Sequence, residues 1–298
     1  MSTVPGPGPG AGPGGAAHRG PTVRRLILGT QLRRLRERAD ITCAEAGYAV
    51  RGSASKISRL ETGRVSFKER DVADLLTLYG VADPDEREQF LQLARRSREP
   101  DWWHRFNDLM PKWFEDYLGL EETATRIQAF ELQYVPGLLQ TEQYARAIAI
   151  GLRPETATGD VEGHIALRTR RQQILFGARA PRLWAIIDES VLHRPIGGRE
   201  TMLGQIERLL DLTALGNISL QVVPYHRSGY SAESAFSLLR FAEAELPDIV
   251  YVQHLTGAIY LERLDDVEVY SRSFDRLAVD AETPHNSRQM LAKLRNEL

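Results

Sequence analysis

The chain has 298 residues, 42% hydrophobic and 26% charged, with a net charge of −2, which is ordinary for a water-soluble protein long enough for two cores. No apolar run reaches the roughly 18 residues needed to cross a bilayer, no basic-then-apolar leader opens the chain, and a single cysteine, Cys43, excludes an intrachain disulfide or a cysteine-built zinc site. The charge is unevenly placed: thirteen basic against five acidic side chains between His18 and Arg70 give that stretch +8 and leave −10 for the rest.

Residues 1–22 are Gly, Pro and Ala with almost no large apolar side chain, the composition of a disordered tail. From Leu26 to about Arg98 the pattern is helical. Leu28, Leu32 and Leu35 recur at helical spacing, and Asp40-Ile41-Thr42 ends that helix. Thr42 is placed to cap a short second helix over 44–50. After the turn Arg51-Gly52-Ser53, Ser53 caps a third helix that ends near Thr62-Gly63, with Gly63 as its left-handed C-terminal residue. A fourth helix is expected over about 69–79 and a fifth from Asp83-Pro84 to about Arg98. An all-α domain of five short helices is thus expected over 23–99.

The remainder, 100–298, reads as an α+β domain with a small mixed or antiparallel sheet. Its first residues hold the aromatics Trp102, Trp103, Phe106, Trp113 and Phe114, expected to form a seam between the domains. Strands are expected over 183–191, 218–224, 235–241, 249–255 and 258–262, the last two joined at Thr256-Gly257. Helices are expected over 141–150, 162–177, 200–215, 267–278 and 287–297.

The stretch Ser53–Arg64 reads SASKISRLETGR. At 100° per residue Ile57 and Leu60 share one face, while Ser55 and Arg59 lie opposite, flanked by Ala54, Ser58 and Thr62. A helix with so little bulk outward can enter a major groove, where Arg binds guanine O6 and N7. Ser53 and the amides beside it suit a phosphate.

Leu35-Arg36, Thr42-Cys43-Ala44-Glu45-Ala46 and Ile57-Ser58-Arg59-Leu60-Glu61-x-Gly63-Arg64 together resemble the Cro/C1-type (XRE family) helix-turn-helix transcriptional regulators over about residues 26–80. The resemblance implies that the third helix reads bases and the second crosses the backbone. It makes Ala54, Ser55 and Arg59 the base readers and Thr42, Cys43, Ser53, Lys56, Ser58 and Arg64 the phosphate contacts. Cys43 stands where the family often carries a DNA-touching glutamine. Arg36 and Glu61 match an internal salt bridge of phage repressors and are read as structural. The implied partner is double-stranded operator DNA, an inverted repeat bound by a homodimer, and the implied location is cytoplasmic and nucleoid-associated.

A second resemblance covers roughly 100–298. Phe130-Glu131-x-x-Tyr134-Val135-Pro136-Gly137-Leu138-Leu139-Gln140-Thr141, Asp188-Glu189-x-x-Leu192-x-Arg194 and Val222-Val223-Pro224 are similar to a C-terminal region of regulators from filamentous, high-GC bacteria. That region has no settled biochemical role. The resemblance implies a small partner protein and an antitoxin-like task.

No enzyme, cofactor or metal is expected. The histidines are scattered without metal-type spacing, and no nucleophile elbow, P-loop or dinucleotide fingerprint occurs. Asp188-Glu189 at a strand end is equally an acid pair or a loop cap. Three roles remain open for the C-terminal half: a partner-binding and dimerisation module, a small-molecule sensor with 225–230 and 134–140 lining its pocket, or a cryptic enzyme.

Overall fold

The computed structural model describes residues 23–63, 65–98, 102–152, 158–227, 232–242 and 246–298. The expected tail, Arg64 and part of the 225–230 loop lie outside them.

The N-terminal unit is α1 (Val23–Arg38), α2 (Cys43–Ala49), α3 (Ala54–Glu61), α4 (Glu69–Leu78) and α5 (Pro84–Arg96). Leu28 and Leu32 of α1, Ala46 of α2, Ile57 and Leu60 of α3, Val72, Leu75 and Leu76 of α4 and Phe90 of α5 close on one another as a single core. Their spacing of three and four puts them on one face of each helix, and burying each Leu or Ile contributes about 1.5–3 kcal/mol. Thr42, Ser53 and Asp83 cap their helices with side-chain oxygens. Gly63 and Gly80 take the left-handed conformation, at φ 66° and 76°.

The C-terminal unit holds α6 (Lys112–Thr123), β1 (Arg126–Glu131), α7 (Glu142–Leu152), α8 (Thr158–Gln172), β2 (Arg182–Asp188), α9 (Ser190–His193), α10 (Arg199–Leu212), β3 (Ile218–Val223), β4 (Phe236–Arg240), β5 (Ile249–His254), β6 (Gly257–Leu261), α11 (Leu264–Asp280) and α12 (Pro284–Glu297). The sheet is mixed, in the order β3-β2-β1-β4-β5-β6. β1, β2 and β3 run parallel, and β4, β5 and β6 are antiparallel to their neighbours. Ile127, Ala185 and Leu220 face a core shared with α6, α7, α10 and α12, and Phe130, Ile186 and Leu238 face α11.

Three expectations change. The strand expected over 183–191 stops at Asp188, because Asp188 Oδ1 accepts the Ser190 N–H at 2.9 Å and turns the chain into α9. β1 and α6 carry no sequence expectation, yet β1 is the central strand. The aromatic stretch is the seam only in part: Trp113 and Phe114 pack on the core that also takes Leu26 and Ile27 of α1. Trp103 and Phe106, in a 3₁₀ helix Trp102–Leu109, pack on Leu118 of α6 and Leu167 of α8, within the C-terminal unit. The seam is made by α1, whose Leu26 and Ile27 pack against the C-terminal core while Leu28 and Leu32 belong to the N-terminal one.

Candidate nucleic-acid interface

α2 begins with a reciprocal cap. The Glu45 N–H donates to Thr42 Oγ1 at 3.2 Å, and the Thr42 N–H donates to Glu45 Oε2 at 2.8 Å. The Thr42 N–H and the Thr42 hydroxyl, both donating to Glu45 Oε2, hold that carboxyl below the usual carboxylate range. The turn into α3 is tight: a Cβ on Gly47 would lie 2.7 Å from the Ser53 carbonyl carbon, so only glycine lets α2 approach the start of α3 this closely. The same holds for Gly29 of α1, whose Cβ would meet Leu60 O at 2.5 Å and Glu61 O at 2.6 Å. The end of α3 is therefore seated on the backbone of α1.

That seat is locked by charge. Arg36 donates from Nε to Glu61 Oε1 at 2.6 Å and from Nη2 to Glu61 Oε2 at 3.0 Å, while its Nη1 reaches Ile41 O at 2.8 Å. Both side chains are largely buried, and Glu61 drives the Arg36 pKa above its ordinary value.

With Ile57, Leu60 and Glu61 inward, α3 turns Ala54, Ser55, Ser58 and Arg59 to solvent. These four occupy an exposed arc of about 140°. Arg59 folds back along its helix, its Nε donating to Ser55 O at 3.3 Å, with the side chain exposed. Ser53 caps α3 by accepting the Lys56 N–H at 3.2 Å. Thr42 is exposed and Cys43 half-buried beside the N-terminal core. Lys56, expected at a phosphate, places Nζ on Asp71 Oδ2 at 2.7 Å, so its charge is met inside the domain and a phosphate would compete with Asp71. Arg64 lies outside the described residues. Tyr48 is 88% exposed on α2, and Arg51 is exposed at φ 50° in the turn between α2 and α3. Sequence reasoning assigned neither. A bulky aromatic on a helix read as backbone-crossing was the available signal.

A family model described as a domain of unknown function, DUF5753, matches residues 114–293. The chain belongs to the DUF5753 family. A second model, described as a helix-turn-helix domain, matches residues 27–90, the span of α1 to α5. A helix-turn-helix domain in this position supports a DNA-binding regulator. No curated protein and no solved structure matches the chain.

Within the DUF5753 domain the acid pair is occupied structurally. Asp188 turns the chain into α9, and Glu189 Oε2 accepts the Tyr225 N–H at 2.7 Å. Residues 134–140 are held by their own bonds: Gln140 donates to Val135 O at 2.6 Å and the Val135 N–H donates to Tyr144 Oη at 3.2 Å. Among the described residues no group of His, Cys, Asp and Glu is arranged for a metal ion, and no helix is long and apolar enough to cross a membrane.

Proposed function

We propose that this protein is a sequence-specific transcription regulator of the XRE type that lays α3 into the major groove of an operator. The observation that carries the reading is the outward row Ala54, Ser55, Ser58 and Arg59 on a helix fixed from behind by Arg36–Glu61 and by the Gly29 contact. Small side chains permit deep entry, and Arg59 supplies the guanine-binding fork. Thr42, Cys43 and Ser53 stand at the phosphates, with Arg64 and Lys56 as further cations. The location is cytoplasmic, on the nucleoid.

The operator is an inverted repeat read by a homodimer. Among the described residues no strand pairs with the outer side of β6, and Ile259 at its centre is 50% exposed, with Leu255 and Leu264 exposed beyond it. An uncharged edge of this kind suits pairing with a second copy. The DUF5753 domain acts by binding, including a small partner protein in an antitoxin-like arrangement, rather than by catalysis. Its acid pair accepts backbone N–H groups of Ser190 and Tyr225, which favours a structural reading of the pair.

Selection of bound fragments from random double-stranded DNA tests the reading. Enrichment of one motif in two inverted copies is expected. Recovery of unrelated fragments at equal affinity would overturn it.

A further inference from the structure

Where α1 begins, it forms one wall of an open cleft of about 850 Å³. The other walls belong to the DUF5753 domain and include Trp102, Arg170 at the end of α8, and Phe176 and Arg179 in the loop behind it. The size falls within the roughly 300–1,000 Å³ of small-molecule sites.

The chemistry of the walls is two-sided. The Arg170 guanidinium lies 5.4 Å from the centre of the Trp102 ring, and Phe176 is 43% exposed. These offer stacking surface. Among the described residues lining it are three guanidinium groups, those of Arg24, Arg170 and Arg179, and one carboxylate, Glu122. Just outside, Arg126 and Arg182 stand side by side as register partners at the starts of β1 and β2, both exposed. A cationic pocket in the acidic half of the chain runs against the charge of its surroundings, and guanidinium forks match carboxylate, sulfonate or phosphate oxygens.

The cleft also touches the reading head. Arg24 Nη1 donates to Arg96 O at the end of α5 at 3.1 Å. One turn on, the same helix carries Gly29 against the backbone of Leu60 and Glu61 at the end of α3. A ligand that contacts Arg24 and Arg170 together binds both domains in one relative arrangement.

We infer that this cleft is an effector site for a flat aromatic anion, and that its occupancy changes the affinity of α3 for DNA. The second half rests on the DNA-binding reading above; the first does not.

The probe is anilinonaphthalene sulfonate, a flat ring system with one anionic group, titrated into the full chain and followed by its emission and by quenching of tryptophan fluorescence. Saturable binding at one site per chain is expected, with sodium sulfate alone giving no quenching. Arg170→Glu with Arg179→Glu should weaken the probe about tenfold or more, the value of one lost charge-assisted bond, and Phe176→Ala should weaken it too. All three side chains are on the surface, so an unchanged melting curve certifies the fold. Tyr225→Ala, an exposed aromatic elsewhere, should change nothing. Equal probe affinity in the wild type and the arginine variants would overturn the site. Wild-type DNA affinity that is the same with and without saturating probe would overturn the coupling. A chain that binds the probe in this way but no DNA would leave the site standing and sink the regulator reading alone.

Discussion

Arg36 and Glu61 face each other through two parallel hydrogen bonds, at 2.6 and 3.0 Å, that join the buried side of α3 to α1. Removing one partner of a buried pair leaves the other charge uncompensated and costs about 3–5 kcal/mol. Arg36→Ala and Glu61→Ala should both lower the melting temperature by several degrees. A variant that loses DNA binding while melting normally would place the pair in the interface instead.

Arg59 and Lys56 should separate. Arg59→Ala should erase preference at one base pair, about 1–3 kcal/mol, and leave non-specific binding intact. Lys56→Ala uncovers Asp71, a nearly buried carboxylate, so it should lower stability as well as affinity. Competition binding with operator and random duplexes, beside melting curves, decides. Equal loss on both duplexes for Arg59→Ala would make it a phosphate contact.

Affinity should fall steeply with salt. A dimer making about 6–10 phosphate contacts loses about 10³–10⁵-fold between 50 and 200 mM. A flat response would remove the basic N-terminal segment from the interface.

Burial pushes the Glu131 carboxyl up to about 7, from an ordinary 4.5. The folded chain therefore holds this proton where the unfolded chain has lost it. Its contribution to stability is greatest below about pH 4.5 and is lost as pH rises to about 7. Glu131→Gln should be the more stable protein at about pH 8, by roughly 1–3 kcal/mol, with the gap closing near pH 5. Urea denaturation at the two pH values reads this directly, and a gap that widens on acidification would reverse the assignment.

Ile259→Asp puts a charge at the centre of the open β6 edge. The full chain should change from dimer to monomer in light scattering at nearly unchanged stability, since Ile259 is half-exposed. A dimer that survives would move the interface elsewhere.

The N-terminal domain was legible because each helix carries its own punctuation: Thr42, Ser53 and Asp83 at the starts, Gly63 and Gly80 at the ends. The central strand was not. Its sequence, RIQAFE, is interrupted by Gln128, which a strand buried on both faces should not contain. Gln128 is tolerated because Arg240 of the neighbouring β4 donates to it at 3.1 Å, a partner more than a hundred residues away. The Lys56–Asp71 pair was hidden for the same reason, since charge counting cannot tell a cation aimed at DNA from one matched across the fold. The cleft beside α1 draws on residues from 24 to 242, and no local pattern announces it.

Leu26 and Ile27 belong to one core, and Leu28 and Leu32, on the same unbroken helix, to the other. At about 1.5 Å per residue the two attachments are only a few ångströms apart, too close for a hinge. The angle between the body and the reading helix is therefore set by a stiff rod rather than by a tether. In a two-fold dimer such a rod acts as a ruler: it fixes how far apart, and at what twist, the two half-sites must lie. One base pair added between them rotates the second site by about 35° and shifts it by about 3.4 Å, a misfit that a flexible tether would absorb and this helix would not.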